Sequence, residues 1–255
     1  MPLQIVTVPC LKDNYAYLAH DPVTGVTCVV DVPEPQLILD ALAAHGWKAD
    51  LVLLTPHHWD HVDGLPGLLA EHPAKVAAAA ADAHRLPKLD IALTEGDSFA
   101  IGAETGAVID VSGHTLGHIA VHFPASAVVF TADSLMAMGC GRLFEGTPAQ
   151  MHESLQKLAT LPPETLVCSG HEYTESNVRF ALTIEPGNPA LQARAAKVAK
   201  ARTEGRPTVP SSLADELATN PFLRAQSPEI RAAMGLPNAP DAEVFTAVRA
   251  AKDRF

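Results

Sequence analysis

The chain has 255 residues, a formal net charge of -11 and a hydrophobic content of 47%. That length allows one large domain or two smaller ones, with enough apolar residues for a sizeable core. The acidity disfavours nucleic acid as a partner, and no apolar run approaches the ~18 residues of a membrane span.

The opening, Met1-Pro2-Leu3-Gln4-Ile5-Val6, has neither a basic region nor a long apolar stretch, so no signal peptide is expected. Short runs rich in β-branched residues predict strands near residues 3–8, 14–20 and 26–31. A helix follows over 36–45, with Gly46 as its stop. Further strands are predicted at 51–54, 75–78, 108–111, 119–123, 127–131 and 165–168. Between the last two lies a helix over 148–160, opened by Thr147-Pro148 as cap and first helical residue. After His171 the strand patterns stop. Helix starts appear at Asn188-Pro189, at Ser212 with Asp215, at Ser227-Pro228-Glu229 and at Asp241. The pattern predicts a mixed α/β domain over residues 1–173 and a small helical domain over 174–255.

Four of the strand-like runs end in histidine or aspartate. They are Leu51–Leu54 leading to His57-His58-Trp59-Asp60-His61, Val108–Val111 leading to His114, Val128–Ala132 leading to Asp133, and Leu166–Ser169 leading to His171. One histidine at a strand end is ordinarily a loop or core residue. Three histidines and an aspartate within five residues, joined by three more ligand types after separate strands, predict a metal site of nitrogen and oxygen donors. Of the other histidines, His20, His45, His72, His84 and His152 read as surface residues. His118 and His122 read as core residues or as groups that orient ligands. Cys10, Cys28, Cys140 and Cys168 lack Cys-x-x-Cys spacing, which suits reduced, buried thiols in a cytoplasmic protein.

The segments Thr55-Pro56-His57-His58-Trp59-Asp60-His61, Ser112-Gly113-His114-Thr115-Leu116-Gly117-His118, Phe130-Thr131-Ala132-Asp133 and Gly170-His171-Glu172-Tyr173 resemble the metallo-β-lactamase superfamily. Two further segments narrow the likeness to the glyoxalase II, or hydroxyacylglutathione hydrolase, family. They are Cys140-Gly141-Arg142-Leu143-Phe144-Glu145-Gly146-Thr147 and Val248-Arg249-Ala250-Ala251-Lys252-Asp253. The resemblance implies an αββα sandwich followed by a helical, glutathione-binding domain. It also implies hydrolysis of S-(2-hydroxyacyl)glutathione, such as S-lactoylglutathione, to glutathione and a 2-hydroxy acid in methylglyoxal detoxification. The nucleophile it implies is a metal-activated hydroxide. Two divalent ions are implied, zinc first, with iron or manganese as alternatives. One would take His58 and His114, the other Asp60, His61 and His171, with Asp133 between them. Asp60 and Asp133 would position the ions, and either would take a proton. Arg142, Phe144, Tyr173, Arg249 and Lys252 would contact the glutathione thioester, Phe144 standing where some members have tyrosine. No protein partner is implied.

One departure bears on the metals. The family's first histidine of this motif falls on Pro56, whose side chain cannot ligate. The first site is therefore expected to be the weaker, and His57 replaces the ligand only if the turn is locally altered. Two alternatives use the same residues. One is another enzyme of the superfamily, such as a mononuclear-iron persulfide dioxygenase; the other is a degenerate binder of glutathione conjugates disabled by Pro56. Cys140 has no paired base in its motif and is not expected to be a nucleophile.

Overall fold

A computed structural model describes residues Met1–Phe255. The chain divides into two compact units. The first comprises Met1–Val111 and Leu116–Ala132; the second comprises Ser112–Thr115 and Asp133–Phe255.

The first unit opens with strands β1 (Gln4–Cys10), β2 (Asn14–His20) and β3 (Thr27–Val30), which pair antiparallel in that order. Helix α1 (Pro35–His45) then crosses over to β4 (Leu51–Leu54), which pairs parallel with β3. After α2 (Trp59–Val62) and α3 (Leu65–Glu71), the parallel run continues through β5 (Lys75–Ala79) and β6 (Ile91–Leu93). Strand β3 is buried throughout, and β4 and β5 are buried except at their first residues. That burial fits strands covered on both faces, and it explains their nearly unbroken apolar sequences. Helix α1 stops at Gly46, whose φ of 70° suits glycine, while the Trp47 N–H bonds the Leu42 carbonyl at 2.9 Å.

Strands β7 (Ser98–Ile101), β8 (Glu104–Asp110), β9 (Ile119–Phe123) and β10 (Val128–Ala132) form an antiparallel run. Alternation along β2 divides the core of this unit. Ala16 and Leu18 join Val29, Ile38, Leu42, Val52, Leu65 and Leu68 in a cluster beneath α1 and α3. Tyr17 turns the other way, its ring 5.8 Å from that of Phe130 on β10. His20 is buried rather than superficial, because it stacks on Trp47 at 4.1 Å and bonds Thr27 Oγ1 through Nδ1.

The second unit holds the hairpin strands β11 (Leu135–Met136) and β12 (Gly139–Cys140), helix α4 (Pro148–Ala159) and strand β13 (Leu166–Ser169). Helices α5 (Thr174–Ile184) and α6 (Pro189–Thr203) follow, then β14 (Ser211–Ser212), which pairs antiparallel with β13. The unit ends with α7 (Leu213–Thr219), α8 (Pro228–Ala233) and α9 (Asp241–Arg254). The expected caps form. Thr147 and Gln150 make a reciprocal capping box, Asn188 accepts from the N–H groups of Ala190 and Leu191, and Ser212 accepts from that of Asp215. His152 is half-buried against Phe245 rather than exposed, and this burial lowers its pKa.

Polar side chains tie the β11–β12 hairpin to the helices. Glu216 is fully buried and accepts from the Met138 N–H, Ser211 Oγ, Asn220 Nδ2 and the Arg194 guanidinium. Asn177 Nδ2 donates to the Ala137 carbonyl, and Asn220 Nδ2 donates to those of Met136 and Gly139. A buried carboxylate is tolerated when its oxygens are occupied in this way. No helix is long and apolar enough to cross a membrane.

Candidate metal centre

In the first unit, β4 leads through Thr55 and the buried Pro56 into α2. His58 is the extended N-cap of that helix, with φ -65° and ψ 146°, and Asp60 and His61 lie in its single turn. The ligand segment is thus helical from Trp59 onward, not extended throughout as its strand-end position suggests. His61 is fully buried, and its Nδ1 lies 3.0 Å from Asp31 Oδ2. Asp31 also accepts from the Thr55 N–H at 2.9 Å and the Thr55 hydroxyl at 2.8 Å. A proton on Nδ1 facing this carboxylate puts the His61 lone pair on Nε2, the arrangement that prepares imidazole to ligate. Asn14 Nδ2 in turn donates to the Asp60 carbonyl and to Asp60 Oδ2, at 3.0 and 3.1 Å.

His57 turns to a different set of groups. Its Nδ1 is 2.9 Å from Asp82 Oδ2, and its Nε2 accepts from Arg85 Nη1 at 3.0 Å. Asp82 is buried, and its carboxylate presses so close to Gly117 that a Cβ there would lie within 2.5 Å of three of its atoms. Both ring nitrogens of His57 are engaged, which holds it away from the role of a substitute ligand for Pro56.

In the second unit, His114, Asp133 and His171 are each buried to about the same degree, 4 to 5% exposed. His114 Nε2 is 3.3 Å from Asp133 Oδ2, and His171 Nε2 is 3.3 Å from Asp133 Oδ1. His114 Nδ1 lies 2.7 Å from the Arg142 carbonyl, which fixes a proton on Nδ1 and leaves the lone pair of a neutral ring on Nε2. A lone pair facing a buried carboxylate oxygen calls for positive charge between them. One carboxylate presenting a different oxygen to each of two imidazoles suits a ligand shared by two cations. Gly141 is required for this packing, since a Cβ would fall 2.0 Å from the Asp133 carbonyl and 2.8 Å from His114 Nδ1. The His171 ring stacks on Tyr173 at 4.6 Å, and the exposed Phe144 meets His114 edge-on at 5.2 Å.

The basic residues of the same unit divide by environment. Arg249 is only 4% exposed. It donates to the Cys140 carbonyl at 2.9 Å and to Asp253 Oδ1 at 2.8 Å, with its guanidinium 5.0 Å from the Phe222 ring centre. Lys252 Nζ donates to the Ser176 carbonyl and hydroxyl, both at 3.2 Å, and burial first of all brings its pKa down to about 8. Arg142 is exposed and reaches Asp253 Oδ1 at 4.0 Å. Cys140 is buried, which pushes its thiol up to about 11 despite Arg249 nearby and suits an inert packing residue.

Sequence reasoning passed over Asn14, Asp31 and Asp82. Asp31 carries a visible signal, because Cys28-Val29-Val30-Asp31 is a fifth apolar run ending in a carboxylate. Asn14 and Asp82 lie far along the chain from the residues they hold and have no such mark. His118 and His122 are both buried, and burial lowers the pKa of His122.

Residues 24–171 match the family model of the metallo-beta-lactamase superfamily, more than half of the chain. Solved structures agree on the fold. A B3 metallo-beta-lactamase, BLEG-1, aligns with a TM-score of 0.67 at 19% identity, over 87% of this chain and 100% of its own. ETHE1 from Myxococcus xanthus aligns at 0.64 and 25%, over 99% and 98%. The chain is therefore a metallo-β-lactamase-fold protein with a helical C-terminal region, a class that binds divalent metal, and it carries the matching groups in His58, Asp60, His61, His114, Asp133 and His171. Within that class it belongs to the hydroxyacylglutathione hydrolase family. Residues 172–255 match the model of the hydroxyacylglutathione hydrolase C-terminus. A hydroxyacylglutathione hydrolase of Jannaschia sp. is 64% identical over 99% of this chain and 98% of its own length. Those of Cereibacter sphaeroides and Ruegeria pomeroyi are each 60% identical over 100% of both chains.

Proposed function

We propose that this chain hydrolyses the thioester of S-(2-hydroxyacyl)glutathione, such as S-lactoylglutathione, with two divalent cations held by six side chains. His58, His114 and Asp133 would form one ligand set, and Asp60, His61 and His171 the other; Asp133, which faces both His114 and His171, would serve both. The observation that carries this reading is Asp133, whose two oxygens each lie 3.3 Å from the Nε2 of a different buried imidazole. Zinc suits these donors best; iron and manganese suit them too.

Bound divalent cations lower the pKa of water toward ~7 and stabilise charge that develops on a carbonyl oxygen. The side chains supply orientation and proton transfer. Asp31 and the Arg142 carbonyl favour a proton on Nδ1 of His61 and His114, so both rings would ligate through Nε2. Asp60, steadied by Asn14, and Asp133 offer the carboxylate oxygens that accept a proton from attacking water. Tyr173, Phe144, Arg142 and Lys252 orient the glutathionyl part, with Arg249 holding the Cys140 carbonyl and Asp253 beside them and residues 174–255 as the helical domain that binds it. With Pro56 in the ligand loop and His57 engaged by Asp82 and Arg85, the set containing His58 holds its ion more weakly. The four buried cysteines, none in a disulfide, support a reducing, cytoplasmic setting.

Metal analysis together with hydrolysis of S-lactoylglutathione tests the reading. The expected result is thioester cleavage that is lost on chelation and restored by zinc, with two ions bound at saturation. A metal-saturated chain that leaves the thioester intact, or that cleaves it only after Pro56→His, favours a degenerate binder. Bound iron with oxygen uptake on glutathione persulfide favours a dioxygenase.

A further inference from the structure

In the second unit two arginines share one carboxylate, and two further cations lie on the elements beside it. Asp253 takes Arg249 at 2.8 Å and Arg142 at 4.0 Å. Lys252, next in sequence, sits on Ser176 at the start of α5, with the Phe180 ring 5.4 Å from its Nζ. Arg179 lies on the same helix, three residues after Ser176 and beside Phe180, so its side chain rises from the face that Lys252 occupies. Arg179 is exposed and has no carboxylate within 4 Å. Its charge adds to those of Arg249 and Arg142 in lowering the Lys252 pKa, while Asp253 alone acts in the other direction.

An unpaired arginine is unexpected here. The chain has 29 acidic and 18 basic residues, so carboxylates to pair with are plentiful. Instead the positive charges repel one another, and the patch keeps a surplus that an anion can satisfy. Arg249 is buried, its two terminal guanidinium nitrogens are bonded within the protein, and its partnerless Nε is itself out of reach of solvent, so it presents little to a ligand. The exposed donors are Arg142 and Arg179, with Lys252 between burial and solvent.

We propose that Arg179 is a substrate-binding residue, which together with Arg142 and Lys252 receives a carboxylate of the glutathionyl moiety. This assignment rests on the glutathione thioester reading above. A planar, permanently charged guanidinium suits a carboxylate better than an ammonium does. Arg179 lies midway along α5 and is not itself one of the ligand residues, which directs its effect to substrate affinity rather than to the chemical step.

Steady-state kinetics of the metal-loaded chain test this with two thioesters, S-lactoylglutathione and the lactoyl thioester of N-acetylcysteamine, which has no carboxylate. Arg179→Ala is expected to raise KM for the glutathione thioester about fivefold with kcat unchanged. It should leave KM for the neutral thioester as it was and flatten the dependence of KM on salt. Arg179→Lys should recover part of the affinity, and Lys200→Ala, at an exposed site on α6, should behave as the parent. A parent enzyme that prefers the glutathione thioester, paired with an Arg179→Ala variant that keeps the whole preference, overturns the assignment alone. A parent enzyme with equal KM for the two thioesters overturns glutathione recognition, and the assignment with it.

Discussion

His61 Nδ1 and the hydroxyl of Thr55 converge on one oxygen of Asp31, at 3.0 and 2.8 Å. Asp31 is held at φ 58°, a conformation aspartate tolerates better than most residues. Replacing it with alanine removes the group that fixes the His61 tautomer. Asp31→Ala is expected to weaken the ion held by His61 about 10- to 100-fold in chelator competition. Asp31→Asn, which keeps the shape, should lose less. Equal metal affinity in all three chains would mean that the ring is oriented by something else.

Pro56 sits where the ligand loop begins, and His57 beside it is engaged by Asp82 and Arg85. Titration with zinc should show two binding steps of unequal affinity. Pro56→His should tighten the weaker step and leave the stronger one in place. Two equally tight ions in the parent chain would refute the asymmetry.

Burial assigns Arg249 to the architecture. Arg249→Ala strips a charged donor from the Cys140 carbonyl and from Asp253, which is expected to cost about 2–3 kcal/mol of stability. Urea unfolding monitored by circular dichroism measures the loss. An unchanged midpoint with a raised KM would return Arg249 to direct contact with substrate.

Lys252 gives a pH dependence. Its pKa of about 8 means that the ammonium is intact at pH 7 and loses its proton as the pH rises through 8. An anionic substrate then loses one cation, so KM should stay level below that point and climb above it. Lys252→Arg, charged at every accessible pH, should keep KM flat to pH 9. A profile in the parent chain that shows no rise would remove Lys252 from anion binding.

The Cys140 thiol, at about 11, and those of Cys28 and Cys168, pushed higher still by burial, should resist alkylation. At pH 8, iodoacetamide is expected to label the native chain slowly and all four cysteines after denaturation. Rapid labelling of Cys140 with loss of activity would contradict its inert role.

Much of the fold was legible because periodicity and punctuation agreed. The runs that became β2, β4, β9 and β10 are apolar and bounded by turn residues, and the caps Thr147, Asn188 and Ser212 formed as written. Strand β7 escaped notice because Ser98–Ile101 is four residues long with a polar start. Strand β6 has three residues, and β14 only two. Helix α5 was hidden because tyrosine, the residue at its cap position, is not a capping type and its side chain does not cap the helix.

The six proposed ligands were legible because their residue types crowd at the ends of strand-like runs. Their supports were less so, since Asn14 and Asp82 act on residues 46 and 25 positions away. Burial separated residues that the sequence had grouped. Arg249 and Lys252 share a helix, yet one is enclosed among Cys140, Asp253 and Phe222 while the other remains partly open.

Glu216 sets a limit on how this protein can be dissected. A truncation after residue 173 would remove Glu216, Asn177 and Asn220 together, and the amides and carbonyls of Met136, Ala137, Met138 and Gly139 would be stranded without them. The segment so loosened, which starts at Met136, lies on the hairpin that follows Asp133. Trimming the helices away would therefore unseat the carboxylate that both imidazoles face, and the shortened chain would lose its grip on cations even though every ligand residue was still encoded.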